Sequence, residues 1–256
     1  FWRRRLRYAL DYPKTVMGPD YACCRLIFGE ADQFPGLTVD RFGDILVTEV
    51  LSLGMEVRKD LLYPLLVDLL REDGVTVRAI YERSDAPLRD KEGLPKVTGF
   101  YPLPGLATDL DGHLLLEENG IRYDVDYIHG QKTGFFLDQK YNRRAAAALA
   151  PGRNVLDCFT HTGAFALNAA KGGAAEVLGV DASELGVAQA TQNAALNGMS
   201  DRVRFACRDV FELLPELERK GEKFDLVILD PPAFTKSRAS VKKAVRGYRE
   251  INRRGI

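Results

Sequence analysis

Four acidic residues in the second half of this 256-residue chain each follow a short apolar run, and they constrain the fold more than any other feature. They are Asp157, Asp181, Asp209 and Asp230, and stretches with a helical pattern separate the runs. Apolar strands that alternate with helices predict an α/β fold with a doubly wound parallel sheet. Because such sheets bind ligands at the carboxyl ends of their strands, the acids are predicted to line a ligand site. A row of acids there disfavours a bare phosphate as the ligand.

The loop after the first run indicates the kind of cofactor. It begins at Asp157 and contains one glycine, Gly163, before a helix is predicted from Ala164. Dinucleotide sites and P-loops need glycine-rich loops whose backbone amides approach phosphate groups. An acidic loop with one glycine fits a cationic cofactor better, since carboxylates attract cations in a partly buried site. S-adenosylmethionine (SAM) has a sulfonium, an ammonium and no phosphate, and we therefore predict SAM.

The next two acids fit a nucleoside. Asp181 lies 24 residues after Asp157, where an acid in nucleotide-binding folds accepts hydrogen bonds from ribose hydroxyls. Ser183 is predicted to cap the following helix, and Asp209 is expected near an adenine amino group. A lone acid of this kind is more often a solvated strand end or a helix cap, but four in register favour a site.

The fourth acid is followed by two prolines. Asp230-Pro231-Pro232 comes after a predicted buried strand, and the prolines stiffen the exit and remove two backbone donors. Asp230 is therefore expected to point into the cleft. Phe234 could stack on a planar base, or it could lie in the core; the sequence leaves both open.

Four segments together resemble one family. They are residues 157–165 (DCFTHTGAF), 230–237 (DPPAFTKS), 132–143 (KTGFFLDQKYNR) and 29–44 (GEADQFPGLTVDRFGD). They resemble class I SAM-dependent RNA methyltransferases, and in particular the bacterial 23S rRNA cytosine-5 methyltransferase I family. The resemblance covers nearly the whole chain. It implies a Rossmann-like methyltransferase domain preceded by a small α+β domain.

The resemblance also implies roles for individual residues. Those that would line the methionine end of SAM are Asp157, Cys158, Thr160 and Gly163. Asp181 and Ser183 would hold the ribose, and Asp209 would contact adenine. Asp230 would face both the methyl group and the target base, as the catalytic contact. Phe135 and Asp138 would close the cofactor site from the preceding segment.

The family pattern further implies that the chain is a fragment cut at both ends. Members begin with a small RNA-binding PUA domain, whereas this chain begins at Phe1 without an initiator methionine and ends at Ile256. Methylation of cytosine C5 needs a thiolate to attack C6 first. In the family that cysteine lies in a later Ser/Thr-Cys-Ser motif, so we expect the nucleophile outside this chain. The four cysteines present are predicted to be small buried apolar residues: Cys23, Cys24, Cys158 and Cys207.

Charge and composition set the expected partners. The chain has 36 basic and 36 acidic residues, but basic residues dominate after Pro231. That stretch would either follow an RNA backbone or form a solvated helix face. RNA, specifically 23S rRNA, is the expected partner, and a homodimer is left open. Cysteines without paired spacing argue against a metal site and fit a reducing cytoplasm, and no apolar run reaches membrane-spanning length.

Three regions are predicted along the chain. Residues 1–116 form a small α+β domain that could contact RNA, with a helix over residues 55–71 and a loop over 84–104. Residues 117–140 form a hairpin, turning at Asn119-Gly120, and a linker that closes the cofactor site. Residues 141–256 form the SAM-binding domain, truncated at its C-terminus.

Three other functions stay open at this stage. Guanine methylation at N7 or N2 is possible because related enzymes with Asp-Pro-Pro loops need no cysteine. The chain could also be a non-catalytic SAM- and RNA-binding module. A nucleotide-dependent oxidoreductase shares the fold, although the missing glycine-rich loop counts against it.

Overall fold

A computed structural model of the protein describes residues 1–235 and 237–256, which fall into two compact units. The first unit contains residues 1–118 and 125–137, and the second contains residues 119–124 and 138–256. Residues 117–140, expected as a hairpin and a linker, fall partly in each unit. In the part of the chain that is described, no helix has the length and apolar character needed to cross a membrane.

The first unit is built on a five-stranded sheet with strand order β1-β2-β3-β4-β5. Its strands are β1 (Cys23–Phe28), β2 (Leu37–Phe42), β3 (Ile45–Val50), β4 (Ala79–Ser84) and β5 (Val97–Phe100). The β3–β4 pair is parallel and the other pairs are antiparallel. The first four strands agree with the predicted α+β unit.

Four helices accompany this sheet. They are α1 (Trp2–Met17), α2 (Leu53–Glu56), α3 (Lys59–Glu72) and α4 (Leu88–Lys91). Helix α1 packs on β1 and α3 and buries Leu6 and Leu10 in the same core as the sheet. The sequence analysis missed this helix because its many arginines mask the apolar spacing.

Two predictions for this unit were wrong. The single helix expected over residues 55–71 is two helices, because Ser52 caps an earlier start and Arg58, with a φ of −115°, interrupts the path. The expected loop over residues 84–104 contains α4 and β5. Strand β5 has only four residues, one of them a glycine, so it depends on backbone pairing with β4 rather than on a sequence pattern of its own.

The predicted hairpin is present. Strands β6 (His113–Glu118) and β7 (Ile121–Asp126) form a two-stranded sheet. Asn119 and Gly120 both have positive φ, 54° and 69°. That is the conformation a two-residue type I′ turn requires.

The second unit contains the predicted parallel sheet, with strand order β10-β9-β8-β11. Its strands are β8 (Asn154–Cys158), β9 (Glu176–Asp181), β10 (Val203–Cys207) and β11 (Leu226–Leu229). Its helices are α5 (Lys140–Ala148), α6 (Ala164–Lys171), α7 (Glu184–Leu196), α8 (Val210–Lys220) and α9 (Val241–Gly255). The chain builds from β8 to β10 on one side and then places β11 on the other. The switch point of the strand order, where such sheets bind ligands, therefore lies between the carboxyl ends of β8 and β11.

Candidate cofactor site

The strand register brings the four acids to one edge of the sheet. Asp181 is the last residue of β9, and Asp230 directly follows β11. Two positions differ from the prediction. Asp157 lies inside β8, paired in register with Gly179 and Ile228, and Asp209 lies two residues past β10. The edge is nevertheless acidic at every strand, as the sequence predicted.

Asp157 is the buried centre of this edge, with 1% of its surface exposed. Its Oδ2 accepts hydrogen bonds from the Thr160 hydroxyl and from the Ala166 backbone N–H, the latter at 3.0 Å. Its Oδ1 is buried and has no hydrogen-bond partner within the described residues. Burial raises the pKa of Asp157 to about 7, the charges of Asp230 and Asp181 add to that rise, and the two hydrogen bonds oppose it. A buried carboxylate oxygen without a donor is costly unless a ligand supplies one.

The loop after β8 owes its shape to three residues with positive φ. They are Phe159 at 63°, His161 at 52° and Gly163 at 84°. A Cβ on Gly163 would lie 2.7 Å from Cζ of Phe205, so the glycine is required by packing as well as by φ. The same ring blocks a side chain at Gly179, at 2.5 Å. The single glycine therefore lets the loop lie against β10.

Asp181 is fixed by two backbone donors. Its Oδ2 accepts from His161 N–H and its Oδ1 from Ser183 N–H, both at 2.9 Å. Each oxygen keeps a second acceptor position. Ser183 caps α7 as predicted, because its hydroxyl accepts from Gly186 N–H at 3.1 Å. Burial lowers the pKa of His161, against the attraction of Asp181, so the ring favours its neutral form.

Asp209 and Asp230 are both exposed. Asp209 caps α8, accepting from Phe211 N–H at 2.7 Å. The sequence left open whether Asp209 caps a helix or contacts adenine, and the structure shows the cap. Its other carboxylate oxygen, Oδ2, does not take part in this cap hydrogen bond. Asp230 stands at the switch point beside Cys158, since Leu229 pairs in register with Cys158.

Phe234 lies in an aromatic cluster, so the core alternative is correct for this residue. Its ring centroid is 4.4 Å from that of Tyr248, 5.5 Å from Phe211 and 6.4 Å from Phe159. Phe159, Phe234 and Tyr248 are partly buried and pack against the core that α8, α9 and the sheet form, whereas Phe211 is exposed. Phe234 thus fixes the Asp-Pro-Pro loop against α9.

The two residues expected to close the site fall in different units. Phe135 belongs to the first unit and is 4% exposed, whereas Asp138 is exposed in a short 3-10 helix (Leu137–Gln139) of the second unit. Their closing role stays a prediction.

The cysteines differ from one another. Cys23, Cys24 and Cys158 are buried as predicted, but the prediction was wrong for Cys207, which is exposed at the end of the edge strand β10. Burial raises the pKa of Cys158 to about 12, so this thiol stays protonated near neutral pH. No cluster of three or more His, Cys, Asp or Glu side chains that could hold a metal occurs in the described ranges.

The sequence analysis missed Asn193, which is fully buried in α7. Its amide donates to the Thr162 carbonyl at 3.1 Å, and its Oδ1 accepts from Asp124 N–H at 2.9 Å. Asn193 therefore ties the cofactor loop to the part of β7 in the same unit. A polar amide within an alanine-rich helix, where asparagine has low propensity, was the available signal.

Comparisons with known proteins identify the family. A family model described as S-adenosylmethionine-dependent methyltransferase matches residues 108–255. The chain belongs to that family. A curated relative from Aeromonas hydrophila subsp. hydrophila, named Ribosomal RNA large subunit methyltransferase I, is 43% identical over 254 residues. The match covers 98% of this chain but 62% of the relative.

Two solved structures share the fold at 24% identity. One, from Streptococcus mutans, is described as a SAM-dependent methyltransferase, with a TM-score of 0.80 over 98% of this chain and 63% of that one. The other is a methyltransferase in complex with SAH, with a TM-score of 0.79 over 98% of this chain and 64% of that one. They confirm the predicted Rossmann-like architecture.

The residues at the sheet edge fit the family's cofactor, SAM. The buried Oδ1 of Asp157 can accept from an ammonium group, and Asp181 holds two preoriented acceptors for hydroxyls. The acidic edge favours a cation over a phosphate. Both properties agree with the prediction of a SAM site made from the single-glycine loop.

Proposed function

We propose that the chain is the cofactor-binding and base-contacting part of an enzyme that methylates a base of large-subunit rRNA, with cytosine C5 as the target atom. The observation that carries the proposal is the acidic sheet edge with its buried, donor-less Asp157 oxygen, in a chain of the SAM-dependent methyltransferase family. The relative's name supports rRNA as the substrate. An rRNA substrate and the four free cysteines agree with a cytoplasmic enzyme.

The proposed roles follow the geometry of the edge. Asp157, with Cys158, Thr160 and Gly163 around it, receives the methionine end of SAM. Asp181 accepts from the ribose hydroxyls, and the Ser183 hydroxyl, already an acceptor for Gly186, retains its own proton to donate.

The adenine and the target base take the outer positions. Asp209 offers its outer oxygen to the adenine amino group. Asp230, at the switch point, faces the methyl group and hydrogen-bonds the target base. Phe135 and Asp138 complete the set as residues that shield the cofactor.

Methylation of cytosine C5 requires a thiolate, and the four cysteines of this chain are not suited to supply it. Cys158 is buried with a pKa raised to about 12, and Cys207 lies on the edge strand, three strands away from β11. Cys23 and Cys24 are buried in the first unit. None of the four is placed to attack a base held by Asp230, so C5 methylation needs a thiolate that these cysteines do not supply.

Product analysis tests the proposal. The product of the full coding sequence that contains this chain is incubated with methyl-labelled SAM and large-subunit rRNA from a strain that lacks the gene, and the nucleosides are separated by mass spectrometry. Labelled 5-methylcytidine supports the proposal. Labelled 7-methylguanosine or N2-methylguanosine would establish the guanine alternative, and SAM binding without any labelled nucleoside would establish a non-catalytic module.

A further inference from the structure

Helix α9 carries two opposite faces. One face packs on its own unit: Ala244 and Ile251 are buried, and Tyr248 lies against Phe234. Gly255 approaches so closely that a Cβ there would lie 2.8 Å from a methyl group of Leu229. These positions recur at the spacing of one helix face, so the orientation of α9 on β11 and α8 is fixed.

The other face carries a row of cations. We name it the α9 basic row, and it consists of Lys242, Arg246, Arg249 and Arg253. All four side chains are exposed and recur at intervals of four, three and four residues. They therefore form one stripe about 17 Å long, at 1.5 Å rise per residue.

Few acidic side chains neutralise the cations of the α9 basic row. Glu250 pairs with Arg254 at 2.5 Å and reaches Arg253 at 4.0 Å, and Arg254 also meets Glu218. Across the described ranges Lys242, Arg246 and Arg249 have no acidic partner. Residues 241–256 contain six basic residues and one acidic residue, a net charge of +5, in a chain whose total charge is zero.

We infer that the α9 basic row binds the phosphate backbone of the RNA substrate. This inference rests on the proposed function and deepens it by assigning the RNA-contacting surface beside the site. A row of unpaired cations on a rigid helix matches a regularly spaced polyanion, since each phosphate neutralised releases condensed counterions. The row follows the Asp230-Pro231-Pro232 exit in sequence, and Phe234 fixes that exit to α9. Phosphates held there fix the position of the RNA strand while leaving the base edges unread.

Two arginines of α1 differ from the α9 basic row, because acidic side chains pair with them. Nη1 of Arg7 donates to both carboxylate oxygens of Asp73, at 2.9 and 2.8 Å, and Arg3 pairs with Glu72. Arg3 and Arg7 are thus compensated within the first unit. In the α9 basic row, by contrast, three of the four cations have no acidic partner in the described ranges.

The test replaces two cations of the row with a neutral residue of good helix propensity. Arg246→Gln/Arg249→Gln is compared with Arg202→Gln/Lys223→Gln, which removes two exposed cations before β10 and β11, at the opposite edge of the sheet. Binding to a short fluorescein-labelled single-stranded RNA is measured by anisotropy across a salt series, and SAM binding is measured by calorimetry. We expect the α9 variant to bind RNA roughly tenfold more weakly at low salt, with a salt slope smaller by about 1.4, because each single-strand contact contributes about 0.7. SAM affinity and the thermal midpoint stay at the parent values.

The outcomes separate this inference from the proposed function. If the parent protein methylates rRNA but the α9 variant keeps its RNA affinity and salt slope, the basic row is a solvated helix face and the inference fails alone. Equal weakening in both double variants would show a general charge effect and would also overturn it. If the parent protein neither binds nor methylates RNA, both statements fail.

Discussion

Each unit contains a buried aspartate, and the two carboxylates differ in their hydrogen-bond partners. Asp40 in the first unit is 0% exposed and is fully engaged by its own chain: Arg25 binds both oxygens, at 2.7 and 2.9 Å, and the Thr133 hydroxyl donates to Oδ2 at 2.6 Å. Asp157 in the second unit is as deeply buried, yet one of its oxygens has no donor within the described residues. A buried carboxylate whose oxygens all have hydrogen-bond partners within the protein is typical of a structural role. A buried carboxylate oxygen without a donor, at the edge where ligands bind, is typical of a binding role.

The first of two effects of similar expected size is on stability. Asp40→Ala leaves the Arg25 guanidinium without its carboxylate, and we expect the free energy of unfolding to fall by about 2 kcal/mol. The loss stays below that of a fully buried pair because the Arg25 side chain is 37% exposed. Urea denaturation measures it, with Asp68→Ala, which breaks an exposed pair with Arg71, as the control.

Asp157→Asn should lower the free energy of unfolding far less above pH 7, since it removes a buried charge. Equal losses at Asp40 and Asp157 would erase the distinction between the two acids.

The second effect is on cofactor affinity. Asp157→Asn removes a charged acceptor, so SAM binding should weaken by about 1.5–3 kcal/mol. Calorimetry on folded protein measures this, and Asp40→Asn serves as the matched control in the other unit. SAM affinity that survives in the Asp157 variant would remove this residue from the site.

The smallest effect concerns the threonine that supports each acid. Thr133→Val and Thr160→Val each delete one hydroxyl donor, at Asp40 and Asp157 respectively, and each should cost about 1 kcal/mol of stability. Only Thr160→Val should also shift the pH profile of SAM binding to higher pH. The hydrogen bond from Thr160 lowers the pKa of Asp157, so its removal raises that pKa. Parallel pH profiles in both variants would contradict this difference.

These two acids also show what the sequence could predict. The apolar runs and the acids after them predicted the sheet, the acids along one edge of it and the cofactor class, because burial of parallel strands leaves a strong local pattern. Asp40 carried no such signal, since its partners Arg25 and Thr133 are 15 and 93 residues away in the chain. The pairing of β5, the break before α3 and the packing of Phe234 likewise depend on tertiary contacts.

In the site, the positions of the acids were predicted more accurately than their environments. Asp157 was expected past the strand end but lies within β8, which is why it is buried and why its pKa is raised. Asn193 was missed because its role depends on Thr162 and Asp124, which are distant in sequence. Side-chain partners of this kind cannot be read from local spacing.

The most direct test of the central claim measures the protons released when SAM binds. Burial raises the pKa of Asp157 to about 7 in the free chain, so about half of the carboxyl groups are protonated at that pH. A bound cation favours the carboxylate and lowers this pKa; binding then releases a proton, and SAM affinity rises as the pH increases towards 7. Calorimetry in buffers of different ionisation enthalpy, just below pH 7, should show a larger proton release for the parent protein than for Asp157→Asn. Equal proton release and equal affinity in the two proteins would contradict the assignment of Asp157 to the cofactor.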